Sequence, residues 1–432
     1  MGASTQIHQT YANGHPAVDP TQVPYRLYTD PELYAREQEQ LFRGPTWNYL
    51  ALEAELAKPG DFRANFIGET PVFITRDQKG ELHALVNRCA HRGAIVCREV
   101  RGNRKTMVCP YHQWSYDLNG TLRGVPFRRG VNGKGGYAED FNPAEHSLTP
   151  VRIATYRGLV FGTFSDDVAP LPEYLGPAMR EHFDTIFNRP IEVLGFSRQL
   201  IHGNWKVYAE NTKDPYHGSL LHMFHATFGS YRSSQDGGMK VDEQGRNSLI
   251  IALKSDEKQE LAAYTSESVG SYSKTLKLAD PTLLAARPEF DRFSTTIQYI
   301  FPNLVVQQIS NTLATRQLVP KGVDKFELLV TYFGYRDDDD EMRTMRIKQS
   351  NLIGPAGLIA LEDGYAVELV QRAVAYDREA HSYIELGGRG TGNDDSLVTE
   401  SAIRAFWKSY GELMGLRWGG SADGSNGTAR AD

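Results

Sequence analysis

Cysteine is scarce in this chain, with 3 in 432 residues. That excludes a disulfide framework as the source of stability, so a cysteine found close to a histidine becomes a candidate metal ligand. Long apolar runs are missing too. No stretch approaches the roughly 20 apolar residues needed to span a bilayer. The opening MGASTQIHQTYANGHPAVDPTQ lacks the apolar core of a secretory signal, so a cytoplasmic location is expected, with no membrane partner. Excess positive charge is also absent. The 47 Lys+Arg and 53 Asp+Glu give a formal net charge of -6, which provides no general field for nucleic acid. The local basic clusters at 98–104 and 123–129 read as solvated or docking surface. A nucleotide site is lacking as well, because GGRGTG at 387–392 has neither the G-x-G-x-x-G spacing nor a preceding strand. No internal repeat is evident.

What remains is ordinary globular composition, 40% hydrophobic and 23% charged, with length for two or three domains. Residues 1–24 are polar and contain Pro and Gly, which predicts a flexible arm. In 25–46, DPELYAREQEQLFR opens with an Asp-Pro helix start and carries Leu33, Tyr34, Leu41 and Phe42 at helical spacing. From 47 to 164 the texture is β-rich: TPVFITRDQKGELHALVN surrounds a Lys-Gly turn, WSYDLNGTLRGV an Asn-Gly turn, and RGLVFGTF is a further strand. Residues 165–416 mix helices near 171–187 and 204–225, a β-like region to Tyr335, and helices at 341–351 and 358–372. The acidic run 337–341 reads as a solvated helix start. The small, polar tail 417–432 is expected to be disordered.

Two of the three cysteines fall in NRCAHRGAIVCREVRGNRKTMVCPYHQW, which holds a Cys-x-His and a Cys-x-x-His separated by seventeen residues. Zinc modules more often use Cys-x2-4-Cys with His-x3-5-His. One Cys and one His in each of two loops is what a Rieske [2Fe–2S] cluster requires, with two thiolates on one iron and two imidazoles on the other. On Cys89, His91, Cys109 and His112 the segment resembles Rieske proteins. Respiratory-chain members carry a further, disulfide-paired cysteine in each loop; Ala94 and Tyr111 stand at those places here, so the resemblance is to the oxygenase branch. Cys97 is read as a small buried hydrophobe.

A Rieske cluster moves electrons but does not transform an organic substrate. The rest of the chain offers NWKVYAENTKDPYHGSLLH, in which His217 and His222 would lie about 140° apart on an ideal helix. Both reach one ion only if the helix is distorted or one histidine sits at its end, and Asp214-Pro215 makes such an irregularity reasonable. Alone, H-x4-H reads more readily as a core or surface pair. However, Glu210, Asn211, Asp214, Tyr216, His217 and His222 reproduce E-N-x-x-D-x-Y-H-x4-H, so the stretch resembles the mononuclear-iron motif of ring-hydroxylating Rieske oxygenase α subunits. Two histidines and one carboxylate leave open positions for O2.

The resemblance runs from about Val23 to Gly415 and is strongest toward α subunits acting on aromatic carboxylates: salicylate hydroxylases and anthranilate, ortho-halobenzoate and terephthalate dioxygenases. It implies an α+β fold, with a β-rich Rieske domain at 47–164 and a helix-grip catalytic domain with an antiparallel sheet at 165–416, on which the 25–46 segment packs. It also implies Asp363 as the third iron ligand, chosen from 53 acidic residues, with Glu362 as runner-up. Asn211 and Asp214 are implied catalytic residues. Asp214 would bridge His112 of one protomer to His217 of the next, with helix N-capping as its plainer role. The implied partners are a small β subunit in an α3β3 assembly, a ferredoxin or NAD(P)H-dependent reductase, O2 and an aromatic carboxylate. Strand alternation places Arg316 on one face with Thr312 and Ala314, where a guanidinium fork could hold that carboxylate; a salt bridge is the plainer alternative. Terephthalate enzymes would need a second basic group near Leu397. The apolar residue there favours an ortho-substituted benzoate of the salicylate or anthranilate type over terephthalate. His225 is read as structural. A pure electron-transfer Rieske protein would leave His217, His222 and Asp363 without a task, and a zinc-stabilised binding module would be colourless.

Overall fold

The computed structural model describes residues 19–254, 257–266, 269–290 and 293–416. Most of the arm, 1–18, and the tail, 417–432, lie outside the described residues.

The expected hairpins form. Thr70–Arg76 pairs antiparallel with Leu82–Val86 around the Lys-Gly turn. These strands sit in a seven-stranded antiparallel sheet together with Asn48–Leu52, Asp61–Ile67, Arg101–Asn103, Pro150–Tyr156 and Leu159–Thr163. Ser115–Asp117 and Leu122–Gly124 join Thr106–Val108 in a three-stranded sheet. The Asn-Gly turn between them puts Gly120 at φ 89°, and a Cβ there would stand 2.6 Å from Leu85 Cδ2. Only glycine satisfies both the backbone and the approach of the two sheets. Phe73, Leu85, Cys97, Met107, Trp114 and Tyr116 fill the space between them, so Cys97 is a core residue.

A second seven-stranded antiparallel sheet runs in the order Ile191–Ile201, Phe326–Tyr335, Thr312–Pro320, Leu304–Ile309, Phe293–Ile300, Ser248–Leu253, Gly237–Val241. All but the first strand follow chain order, so the curved sheet is built by local hairpins and closed by the early strand 191–201. Helices Trp205–Asn211 and Ala360–Val374 pack together across it. This is the α+β arrangement expected. Polar side chains fasten one sheet to the other: Tyr49 N–H donates to Asn303 Oδ1 at 2.9 Å, and Gln317 Nε2 donates to the Tyr49 carbonyl at 2.8 Å.

Three local readings are amended. The helix expected over 30–43 is α-helical over Pro31–Glu37, capped by the Asp30 side chain, and widens into a π turn at Gln38–Phe42. The β-like region before Tyr335 is interrupted by a helix, Glu257–Ser266. The acidic run is only partly solvated: Asp339 caps helix Asp340–Ile353 by accepting from Met342 N–H, while Asp338 is buried against Arg346 at 2.7 Å. A buried guanidinium needs that counter-charge.

Candidate active site and cluster loops

Two loops of matching geometry present the first four residues. In one, Cys89 N–H donates to the Ala94 carbonyl and Gly93 N–H to that of Cys89; in the other, Cys109 N–H donates to Trp114 and Gln113 N–H to Cys109. Each five-residue turn closes through a left-handed residue, Gly93 at φ 74° and Gln113 at φ 58°. The thiols are 3% and 1% exposed, and His91 and His112 stand at the rim with their Nδ1 atoms 3.1 Å apart. Burial, followed by the neighbouring Cys89 thiol, raises the Cys109 thiol above its ordinary value. Two mutually facing thiols inside and two facing imidazoles outside fit a cluster with chemically distinct irons. Tyr116 Oη lies 3.2 Å from Cys89 Sγ, where it can hydrogen-bond a sulfur and tune the centre. Tyr111 is exposed, and its ring lies against His112 and beneath the Arg92 guanidinium.

The second group is assembled by a broken helix. Trp205–Asn211 ends before Asp214-Pro215, His217 opens a single 3-10 turn, and His222 is the N-cap residue of helix Met223–Phe228. This break brings together two histidines that one regular helix would hold apart. Asp363, in the first turn of helix Ala360–Val374, completes the set: its Oδ1 lies 3.3 Å from His217 Nε2 and 3.1 Å from His222 Nε2. Asn211 Nδ2 donates to the same oxygen at 3.1 Å. The three residues can each turn one ligand atom toward a common point. Two nitrogens and one carboxylate oxygen fit a mononuclear divalent iron with open positions.

An acid stands behind each imidazole, within ion-pair distance of His217 and hydrogen-bonded to His222. Asp214 Oδ2 is 3.4 Å from His217 Nδ1, while its Oδ1 accepts from the backbone N–H of Tyr216 and His217. Glu362 Oε2 is 2.8 Å from His222 Nδ1. Glu362, the runner-up for iron, therefore sits behind His222 instead of beside Asp363. Sequence reasoning ranked Glu362 as the alternative iron ligand and missed this role. Burial disfavours charge on His217, but the carboxylates of Asp214 and Asp363 outweigh it and raise the imidazole to about 10. Burial also opposes ionisation of Asp363, and the two histidines overcome it, holding the carboxyl well below its usual range. His225 is buried, held far below its ordinary value by burial and the neighbouring His222, stands 2.7 Å from Ser230 Oγ, and lines the cavity beside the iron ligands.

A cavity opens beside these residues, lined by His217, His222, Asp363, Ile250, Ile297, Gln307 and Arg316 among others. Arg316 is 3% exposed and, among the described residues, has no carboxylate within salt-bridge distance. Its guanidinium instead donates to Tyr208 Oη at 2.8 Å and the Ile353 carbonyl at 3.4 Å, leaving Nε unpaired. The salt-bridge alternative therefore fails. Leu397 is buried in an apolar cluster with Tyr231 and Ile250, which face the cavity.

A fold that couples a two-thiol, two-imidazole pair of loops to a two-histidine, one-carboxylate centre defines a two-centre iron protein. Comparison with known families agrees: the Rieske [2Fe-2S] domain matches residues 46–134, and the ring hydroxylating alpha subunit (catalytic domain) matches 179–416. The chain belongs to the ring-hydroxylating oxygenase alpha subunits, whose cofactors are a Rieske [2Fe–2S] cluster and mononuclear iron. It is 51% identical over 402 residues to the anthranilate 1,2-dioxygenase large subunit of Burkholderia cepacia, covering 93% of this chain and 95% of that one. It is 44% identical to a terephthalate 1,2-dioxygenase alpha subunit of Comamonas sp., covering 91% and 96%. It is 40% identical to the large oxygenase component of salicylate 5-hydroxylase of Ralstonia sp., covering 93% and 96%. Naphthalene 1,2-dioxygenase from Rhodococcus sp. shares the fold, with a TM-score of 0.73, 23% identity and coverage of 91% and 94%. Among the described residues, no helix is long and apolar enough to cross a membrane.

Proposed function

We propose that this chain is the terminal oxygenase component that hydroxylates an aromatic monocarboxylate, specifically an ortho-substituted benzoate. The observation that carries this reading is Arg316: a buried cation without a carboxylate partner among the described residues, lining the same cavity as His217, His222 and Asp363. A desolvated guanidinium calls for an anion, and its planar fork matches a carboxylate. The 51% identity to an anthranilate 1,2-dioxygenase supports the same choice. Buried Leu397 offers no charge for a second, para carboxylate.

Iron(II), held by His217, His222 and Asp363, would supply the centre at which O2 is activated. The protein does the positioning. Asp214 and Glu362 engage the Nδ1 sides of the imidazoles, so both Nε2 atoms face inward as acceptors. Arg316 fixes one end of the ring, and the apolar Ile250 and Ile297 side chains exclude water from its face. Cys89, His91, Cys109 and His112 would hold the cluster that receives electrons from a ferredoxin or NAD(P)H-dependent reductase. Asp214 lines an open groove with Tyr25, Glu210 and Glu400. There it can meet His112 of a second protomer in an α3β3 assembly with a small β subunit.

The test is product analysis by mass spectrometry. Protein with its β subunit, ferredoxin, reductase and NADH is supplied with anthranilate, salicylate, 2-chlorobenzoate and terephthalate. Turnover of the ortho-substituted monocarboxylates is expected; preferred turnover of terephthalate would overturn the substrate reading.

A further inference from the structure

The cavity has one more polar group that neither the iron ligands nor Arg316 explains. Gln307 is 3% exposed, lines the same cavity, and leaves its Oε1 without a hydrogen-bond partner. An amide placed for structural reasons would satisfy that oxygen within the protein, because an unpaired buried acceptor is costly. Here the acceptor stays unpaired within the protein.

The sheet register determines what Gln307 can reach. In the pairing of Leu304–Ile309 with Thr312–Pro320, Gln307 stands opposite Ala314 and Val305 opposite Arg316. Alternation puts Val305 and Gln307 on one face, so Gln307 and Arg316 are diagonal neighbours there, with Cβ atoms roughly 7–8 Å apart. On the other side, Ile297 stands opposite Gln307 and Ile250 opposite Ile297, which continues the row as an apolar floor. A benzoate whose carboxylate is held by Arg316 would lay its ring along this row. The ring position next to the carboxylate is then the one nearest the Gln307 amide.

We infer that Gln307 reads the ortho substituent of the substrate, its Oε1 accepting a hydrogen bond from an ortho amino or hydroxyl group. The inference rests on the monocarboxylate reading above and deepens it. An ortho amino group has two N–H bonds, one for its own carboxylate and one for Gln307. An ortho hydroxyl has a single O–H to share between the same acceptors, and chlorine or hydrogen offers none and leaves Oε1 unpaired. The order of affinity is therefore 2-aminobenzoate, then 2-hydroxybenzoate, then 2-chlorobenzoate and benzoate.

The experiment measures binding, by calorimetry, of these four acids to the anaerobic iron(II)-loaded protein and to its Gln307→Met and Arg316→Met variants. Wild type is expected to favour 2-aminobenzoate over benzoate by about tenfold, and Gln307→Met should bring that ratio close to one while benzoate affinity holds. Because Gln307→Met removes an unsatisfied buried acceptor, the melting temperature without ligand should not fall. Arg316→Met should weaken all four acids together. If Gln307→Met keeps the wild-type preference, or lowers the melting temperature and abolishes all binding, Gln307 is not the reader. If Arg316→Met leaves every affinity unchanged, the monocarboxylate reading fails and this inference with it. Should the methionine variant not fold, Gln307→Asn withdraws the same acceptor by one methylene; an undiminished preference there overturns the inference equally.

Discussion

Replacing Arg316 with methionine removes the one charge that the cavity offers to an anionic substrate while nearly preserving side-chain length. Arg316 reaches Tyr208 Oη and the Ile353 carbonyl but no carboxylate, and its Nε is unpaired. A charge-assisted hydrogen bond contributes about 1.5–3 kcal/mol, so a bidentate carboxylate loses roughly 3–6 kcal/mol, or 10²–10⁴-fold in affinity. The protein without ligand changes little, because removal of a buried cation lacking a counter-charge offsets the loss of its bonds to Tyr208 Oη and the Ile353 carbonyl. The variant should thus bind benzoates far more weakly while melting close to wild type. Titration of 2-aminobenzoate into the iron(II)-loaded protein measures the first quantity and calorimetric melting the second, and the visible spectrum checks that the cluster is intact. Since the guanidinium is buried, added salt should change the wild-type affinity little. Affinity within threefold of wild type, or a sharply lower melting temperature, would refute the argument and leave Arg316 a structural residue.

Other perturbations probe different parts of the site. Glu362→Ala frees the Nδ1 side of His222 and should lower iron affinity by about 10–100-fold, with Glu362→Asp restoring most of it; iron content after dialysis against a chelator measures this. Asp214→Asn keeps a side-chain oxygen to accept from the backbone N–H groups of Tyr216 and His217 but removes the negative charge. It should therefore retain both iron centres while slowing product formation, as read by metal analysis beside turnover. Glu210 is buried between Tyr28 Oη and Trp407 Nε1, and burial pushes its carboxyl from 4.5 up to about 7. Between those values the unfolded chain loses the proton and the folded protein keeps it. Its contribution is thus present below about 4.5 and lost as pH rises to about 7, a change on the order of 3 kcal/mol. Glu210→Gln cannot titrate, so its stability relative to wild type should rise between pH 4 and pH 8 in urea denaturation; a flat difference would contradict the assignment.

Legibility in the sequence followed locality. Cys89, His91, Cys109 and His112 announce themselves because each loop is a short turn written in adjacent residues. His217 and His222 are nearly as local, with the helix break at Asp214-Pro215 written just before them, although the family motif was needed to read the pair as ligands. Asp363 arrives from a distant helix, so only resemblance to a family motif singled it out among the acidic residues. The role of Glu362 depends on which way one side chain leaves the first turn of helix Ala360–Val374, and residue order does not encode that. Gln307 and Arg316 occupy alternating strand positions that would be solvent-facing in a flat sheet. Curvature of the seven-stranded sheet, together with the helices closing over it, makes that face an interior. The helix Glu257–Ser266 escaped because KSDEKQELAAYTSES shows no strong apolar periodicity, and the ionic pairing of Asp338 with Arg346 is a long-range choice that a run of acids hides.

The central claim is that His217, His222 and Asp363 hold an iron separate from the cysteine–histidine cluster and that hydroxylation happens there. Iron content, the cluster's visible spectrum and product formation, measured together on Asp363→Ala, test it most directly. Iron should fall from about three per chain to about two, the cluster spectrum should persist, and product should vanish. Full iron content with product still formed would contradict the claim.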